Sequence, residues 1–137
     1  MKRLIVSIVA GFFFTAISTT VVDHIFHVTK VYPPYGEPFK ETGLLIMAFA
    51  YRALFAIIGG YITAKIAKKK ARKAVLILGT IGTIAWLAGL IKFWDLAPAW
   101  YSTGGLILAI PYVFIGLYIY KKSRDGNAVL YRQLQLV

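Results

Sequence analysis

Arg52 is the residue whose chemistry is hardest to place in this sequence. It lies near the middle of an apolar stretch, TGLLIMAFAYRALFAIIGGYITAKIAKKKARK, which runs from Thr42 to Lys73 and ends in a block of Lys and Arg. A guanidinium at the centre of a bilayer costs about 3 kcal/mol on insertion scales, so such a charge is normally paired or functional. A second chemical cluster is Asp23-His24-x-x-His27. His24 and His27 are three apart and Asp23 is four from His27, so all three share one helical surface. Two or three of them could ligate a metal, but zinc also needs a further ligand or water and a supporting shell. The other acids expected on that side are Glu37, Glu41 and Asp95. The competing reading makes the two histidines hydrogen-bonding residues at an interface. Both lie on one segment, which argues against a haem gripped between facing helices. The chain has no cysteine, which excludes disulfides, thiolate catalysis and Cys-ligated metals. No complete catalytic motif is present, and no cofactor is expected.

Two helix faces position these groups. Ser7, Gly11, Thr15, Thr19, Asp23 and His27 recur every fourth residue and form a small, increasingly polar ribbon. Small residues at this spacing let a second helix approach closely, but packing needs no charge, so Asp23 and His27 ask for another reason. Ala48, Arg52, Ala56, Gly60 and Ala64 form a comparable face on the next apolar segment. Turning its small residues inward also turns Arg52 inward. Side chains tilt toward the N-terminus of their helix, so in two antiparallel helices Asp23 and Arg52 lean toward each other. Aligning Leu4 with Lys65 puts their Cα atoms roughly 9 Å apart along the axis at 1.5 Å per residue, which two tilted side chains largely close. An Arg52–Asp23 bridge is therefore expected. Arg52 is then either a structural pin or the anchor of a ligand site. Trp86, beside Gly79, Gly82 and Thr83, is either a packing aromatic or an indole N–H donor near that site.

These faces belong to an all-α integral membrane four-helix bundle in one domain. Of the 137 residues 59% are apolar, and mean hydropathy is +0.71. Apolar spans are expected at about 4–24, 43–65, 73–94 and 99–120, each near the length a bilayer requires. Between them lie an outer loop at 25–42, rich in Pro and Gly, a basic inner loop at 66–73, and a tail at 121–137. The run after Met1-Lys2-Arg3 is read as an uncleaved span rather than a signal peptide. Pro111 should kink the fourth span. The net charge of +11 does not point to nucleic acid, because the cations cluster just beyond the spans. Twelve of them fall on the side of both termini and Lys65–Lys73, and three on the other, which makes the termini cytoplasmic. Anionic lipid headgroups are the expected partners of Lys65–Lys73.

Several stretches together resemble a known group. Asp23-His24-x-x-His27, Val31-Tyr32-Pro33-Pro34-Tyr35-Gly36, Tyr51-Arg52, Gly59-Gly60-Tyr61-Ile62-Thr63-Ala64 and Trp94-Asp95 through Tyr101 look like motifs of small four-span bacterial membrane proteins described only as hypothetical. The resemblance covers about His24 to Gly116 and implies a bacterial inner-membrane location and the four-span architecture. It implies no activity. Relatives in that group often carry Ala-Pro where this chain has Ala67-Lys68, so the basic loop here is unusually rich in lysine. Small multidrug transporters also have four spans, but they carry an acid deep in the first helix and little charge bias, unlike this chain.

Three functions are compatible with these residues. The first is an outward-facing polar pocket that binds or transports a small polar or anionic solute, with Arg52 as anchor and Asp23, His27, Thr19 and Trp86 around it. The second is a non-catalytic accessory or oligomer-forming subunit whose small-residue faces dock a membrane partner or another copy. The third is a membrane-embedded metal-dependent enzyme using Asp23, His24 and His27.

Overall fold

The computed structural model describes residues 1–136 and is all-helical. Four α-helices follow one another: α1 (Lys2–Val28), α2 (Thr42–Ala67), α3 (Ala71–Lys92) and α4 (Ala99–Gln135). Short 3-10 turns lie at Lys68–Lys70 and Trp94–Leu96. Three helical runs are long and apolar enough to cross a membrane: Lys2–Val28, Thr42–Lys92 and Ala99–Gln135. The middle run holds both α2 and α3, which pack against each other across the lysine turn. That reversal places Lys68 at φ +53°, outside the helical region.

The helices pack inside out relative to a soluble bundle. Val6, Val9, Phe13, Ile17 and Val21 lie exposed along α1, while Ser7 and Gly11 are buried. A continuous exposed apolar face of this kind suits lipid rather than water. At the end that carries the lysine turn, the basic end, Ala64, Ala71, Val75, Leu78, Val113 and Leu117 form one cluster. At the opposite end, the loop end, Tyr32, Leu45, Ala48 and Tyr101 form a second, wrapped by further aromatic rings.

The boundaries differ from expectation in several places. Of the basic inner loop expected at 66–73, Ile66 and Ala67 belong to α2 and residues 71–73 to α3, which leaves Lys68–Lys70 as the turn, and 93–94 lie beyond α3. Residues 25–28, expected in the outer loop, are the last turn of α1. The helix ends in a Schellman arrangement: Lys30 N–H returns to the His27 carbonyl at 3.2 Å and Val31 N–H to the Phe26 carbonyl at 2.9 Å. The residues expected as a tail from 121 continue α4 without a break to Gln135, and all of them are exposed. Lys, Arg, Gln, Leu and Ala there are good helix formers, and the single Gly126 costs only about 1 kcal/mol. Val137, the last residue of that expected tail, lies outside the described residues. Pro111 sits within α4 on its exposed side, well below the level of Arg52.

Candidate functional site

The α1–α2 register sets the site. Thr63 Oγ1 donates to the Ser7 carbonyl at 3.1 Å, a Cβ on Gly59 would lie 3.1 Å from the Gly11 carbonyl, and Thr15 Oγ1 donates to the Phe55 carbonyl at 3.3 Å. Each step of four along α1 is matched by four backward along α2. Continued, this register brings Asp23 opposite Met47, so Arg52 lies roughly 7.5 Å deeper at 1.5 Å per residue. The opposed tilt of the side chains spans that gap: Arg52 Nη2 donates to Asp23 Oδ2 at 2.5 Å.

The other carboxylate oxygen is also occupied. The Tyr51 hydroxyl donates to Asp23 Oδ1, and its oxygen in turn accepts from the Tyr32 hydroxyl at 2.9 Å. A hydrogen-bonded chain thus runs from the loop through Tyr32 and Tyr51 to Asp23 and Arg52. Tyr32 is 4% exposed and packs against Phe26, His27 and Phe39. Burial raises its hydroxyl above the ordinary phenol range, which keeps it protonated as a donor.

α3 and α4 supply the far wall. The Arg52 guanidinium carbon lies 5.6 Å from the Trp86 ring centroid, a cation–π arrangement. The Trp86 indole N–H donates to the Ser102 carbonyl at 2.8 Å, and its ring fills the space beside Gly105. Arg52 Nε is buried and has no hydrogen-bond partner among the described residues. The arginine side chain as a whole is 31% exposed. One N–H is therefore orphaned inside, while the side chain as a whole keeps part of its exposure.

The partial exposure of Arg52 goes with the packing of α3. Near the basic end α1 and α3 touch: a Cβ on Gly11 would sit 3.2 Å from the Leu78 side chain. A Cβ on Gly82 or Gly89 would meet nothing within 4 Å among the described residues. The buried residues of α3 all lie between Ala71 and Gly79. α3 is therefore sealed into the bundle at the basic end and half-buried or exposed at the level of Arg52.

The structure brings Asp23, Arg52 and Trp86 together. Thr19 lies one turn nearer the basic end and is half-buried. His27 lies one turn beyond Asp23, with Nδ1–H on the Asp23 carbonyl at 2.7 Å and its ring stacked on Tyr35 at 3.9 Å. That bond places the ring proton on Nδ1, because a carbonyl can only accept. His24 is exposed. Among the described residues no three His, Asp or Glu side chains stand close enough to hold a metal ion. The residues that sequence reasoning undervalued are Tyr51 and Tyr32, which enter it only within the stretches that carry the resemblance. The signal was present in part: a phenol directly precedes the arginine. Comparison with protein-family models, curated proteins and solved structures finds no match for this chain.

Proposed function

We propose that this chain is a four-span protein of the bacterial inner membrane, with both termini cytoplasmic, that binds or transports a small polar or anionic solute at Arg52 from the outer side. The observation that carries this reading is the state of Arg52. Its charge is balanced by Asp23, yet one of its N–H groups has no partner among the described residues and its side chain stays 31% exposed. A residue serving only as a pin would be expected to have its donors satisfied inside the bundle. A partly exposed arginine fork suits a planar oxyanion. Charge bias along the chain supports the orientation: the Lys65–Lys73 block faces the cytoplasm and anionic lipid headgroups, and the loop at 29–41 faces out. The resemblance to small bacterial four-span proteins supports the compartment.

The test uses Trp86 as a reporter in protein carrying Trp94→Phe and Trp100→Phe, reconstituted in nanodiscs. Acetate, succinate, sulfate and inorganic phosphate are titrated in turn. The expected result is a saturable change in indole emission with at least one oxyanion. It should be absent in the Arg52→Leu/Asp23→Leu double variant and strongly weakened in Arg52→Lys. No response to any of the four would remove the reading. Single cysteines at Gly36 and Lys69, probed with an impermeant thiol reagent on intact cells, test orientation; labelling at 69 but not 36 would invert it.

A second reading rests on the packing of α3. Gly82 and Gly89 leave a small-residue stretch of α3 uncovered, which a helix of another copy or of a partner subunit would fill. Bulky residues at both positions would then abolish assembly while leaving the response of Trp86 to oxyanions intact.

A further inference from the structure

The outer loop borders an open cleft separate from Arg52. It measures about 840 Å³, and its walls include the rings of His27, Tyr32, Tyr35 and Phe39 together with Lys30 and Lys40. The loop that forms it is held locally. Pro33 and Pro34 restrict the chain, Gly36 turns it at φ +89°, and Glu37 N–H closes a turn on the Pro34 carbonyl at 3.1 Å. Phe39 N–H ties the return strand of the loop to the Leu96 carbonyl at 2.5 Å. The rings lock against each other, with His27 stacked on Tyr35 and Tyr32 tilted against Phe39 at 4.7 Å.

Lys30 is the residue that calls for an explanation. It occupies the left-handed position of the Schellman motif at φ +59°, where glycine is the usual choice. A side chain there strains the backbone, and such strain clusters at ligand clamps. Lys30 lines the cleft with Lys40, and neither forms an ion pair among the described residues. Glu41 is the one carboxylate on the same walls, so the lining stays net positive. Rings and valines fill the remainder, a surface suited to hydrocarbon rather than to a bare ion.

We infer that this cleft is a phosphate site for an amphiphile, with Lys30 and Lys40 holding the phosphate and the aromatic walls covering the apolar portion. At the outer interface the natural source of that chemistry is a lipid headgroup; a free phosphate compound is the other source. The site does not depend on the role proposed for Arg52.

The two histidines of the chain supply the test, since His27 lines the cleft and His24 does not. Protein with isotope-labelled histidine, held in neutral detergent, is titrated with dihexanoyl phosphatidic acid, with inorganic phosphate, and with a neutral dihexanoyl glycerol. The expected result is a saturable shift of the His27 ring resonances with phosphatidic acid, with His24 unmoved. A matching shift with inorganic phosphate assigns the site to free phosphate; a shift with phosphatidic acid alone assigns it to lipid. Lys40→Gln should weaken binding about tenfold, the loss expected for one charge-assisted contact. Lys30→Gly is the sharper variant: it should raise the melting temperature by relieving the backbone and weaken phosphate binding by a similar factor. An unmoved His27, equal binding of the neutral glycerol, or unchanged affinity in both lysine variants would overturn the inference.

Discussion

The two ends of this bundle are held together by different physics. At the basic end, helices meet backbone to backbone. A Cβ on Gly60 would come within 2.8 Å of Val113 Cα, and one on Gly116 within 2.6 Å of the Tyr61 nitrogen. Stability there comes from close dispersion contact between surfaces with almost no side chain to move. At the loop end a half-buried pair of charges, Arg52 and Asp23, bridges the helices with its aromatic and phenolic neighbours. The first arrangement is rigid because nothing fits between the helices. The second can rearrange, because hydrogen bonds and a cation–π contact can be exchanged for others. A binding site belongs in the second kind of region, and that is where Arg52 stands.

The largest effect should come from wedging the basic end. Gly60→Val or Gly116→Val sets a side chain against backbone that cannot yield, and a loss above about 4 kcal/mol, read as failure to accumulate as folded protein in detergent, is expected. Next is the charge at the loop end. Arg52→Leu and Asp23→Leu should each destabilise by roughly 3–5 kcal/mol, with the double variant recovering much of the loss. A thermal-denaturation cycle showing near-zero coupling would mean the pair is not energetically joined. Tyr51→Phe removes one hydrogen bond to the carboxylate and should lower stability by about 1.5–3 kcal/mol. It should also loosen the loop, seen as faster backbone exchange at 31–39. The smallest effect separates the two ends most cleanly. Gly82→Ala and Gly89→Ala, which enter open space, should be neutral or stabilising by up to about 1 kcal/mol. A marked loss at either would show that α1 and α3 close together in the working protein.

Asp23 and Arg52 could be paired from sequence because the pairing rests on local rules: a four-residue repeat on each helix and the fixed tilt of side chains along it. Tyr32 could not be placed by such rules. Its position follows from the Schellman turn at Lys30 and the Phe39–Leu96 tether, and the latter joins segments far apart in the chain. Tyr51 was visible, but nothing local says that its hydroxyl meets a carboxylate on another helix. Gly82 and Gly89 looked like packing residues because glycine spacing shows where helices may approach, not where they do. The continuation of α4 was concealed by its polarity. Without an apolar face against the bundle, that segment offers no burial signal, and helix propensity alone carries it.

The length of α4 has a mechanical meaning. It is clamped to α2 over Val113 and Gly116, where the backbones touch, and two arms extend from that clamp. One arm reaches Ser102, roughly 21 Å away at 1.5 Å per residue, where its carbonyl holds the indole that lies against Arg52. The other reaches Gln135, roughly 28 Å past that clamp by the same rise, and stands clear of the bundle. A stroke at Ser102 has to be taken up by bending before the clamp, which leaves the far arm mechanically separate from the site. Pro111, on the shorter arm, lacks the N–H that would stiffen it, so it sets how much of that stroke is lost to bending.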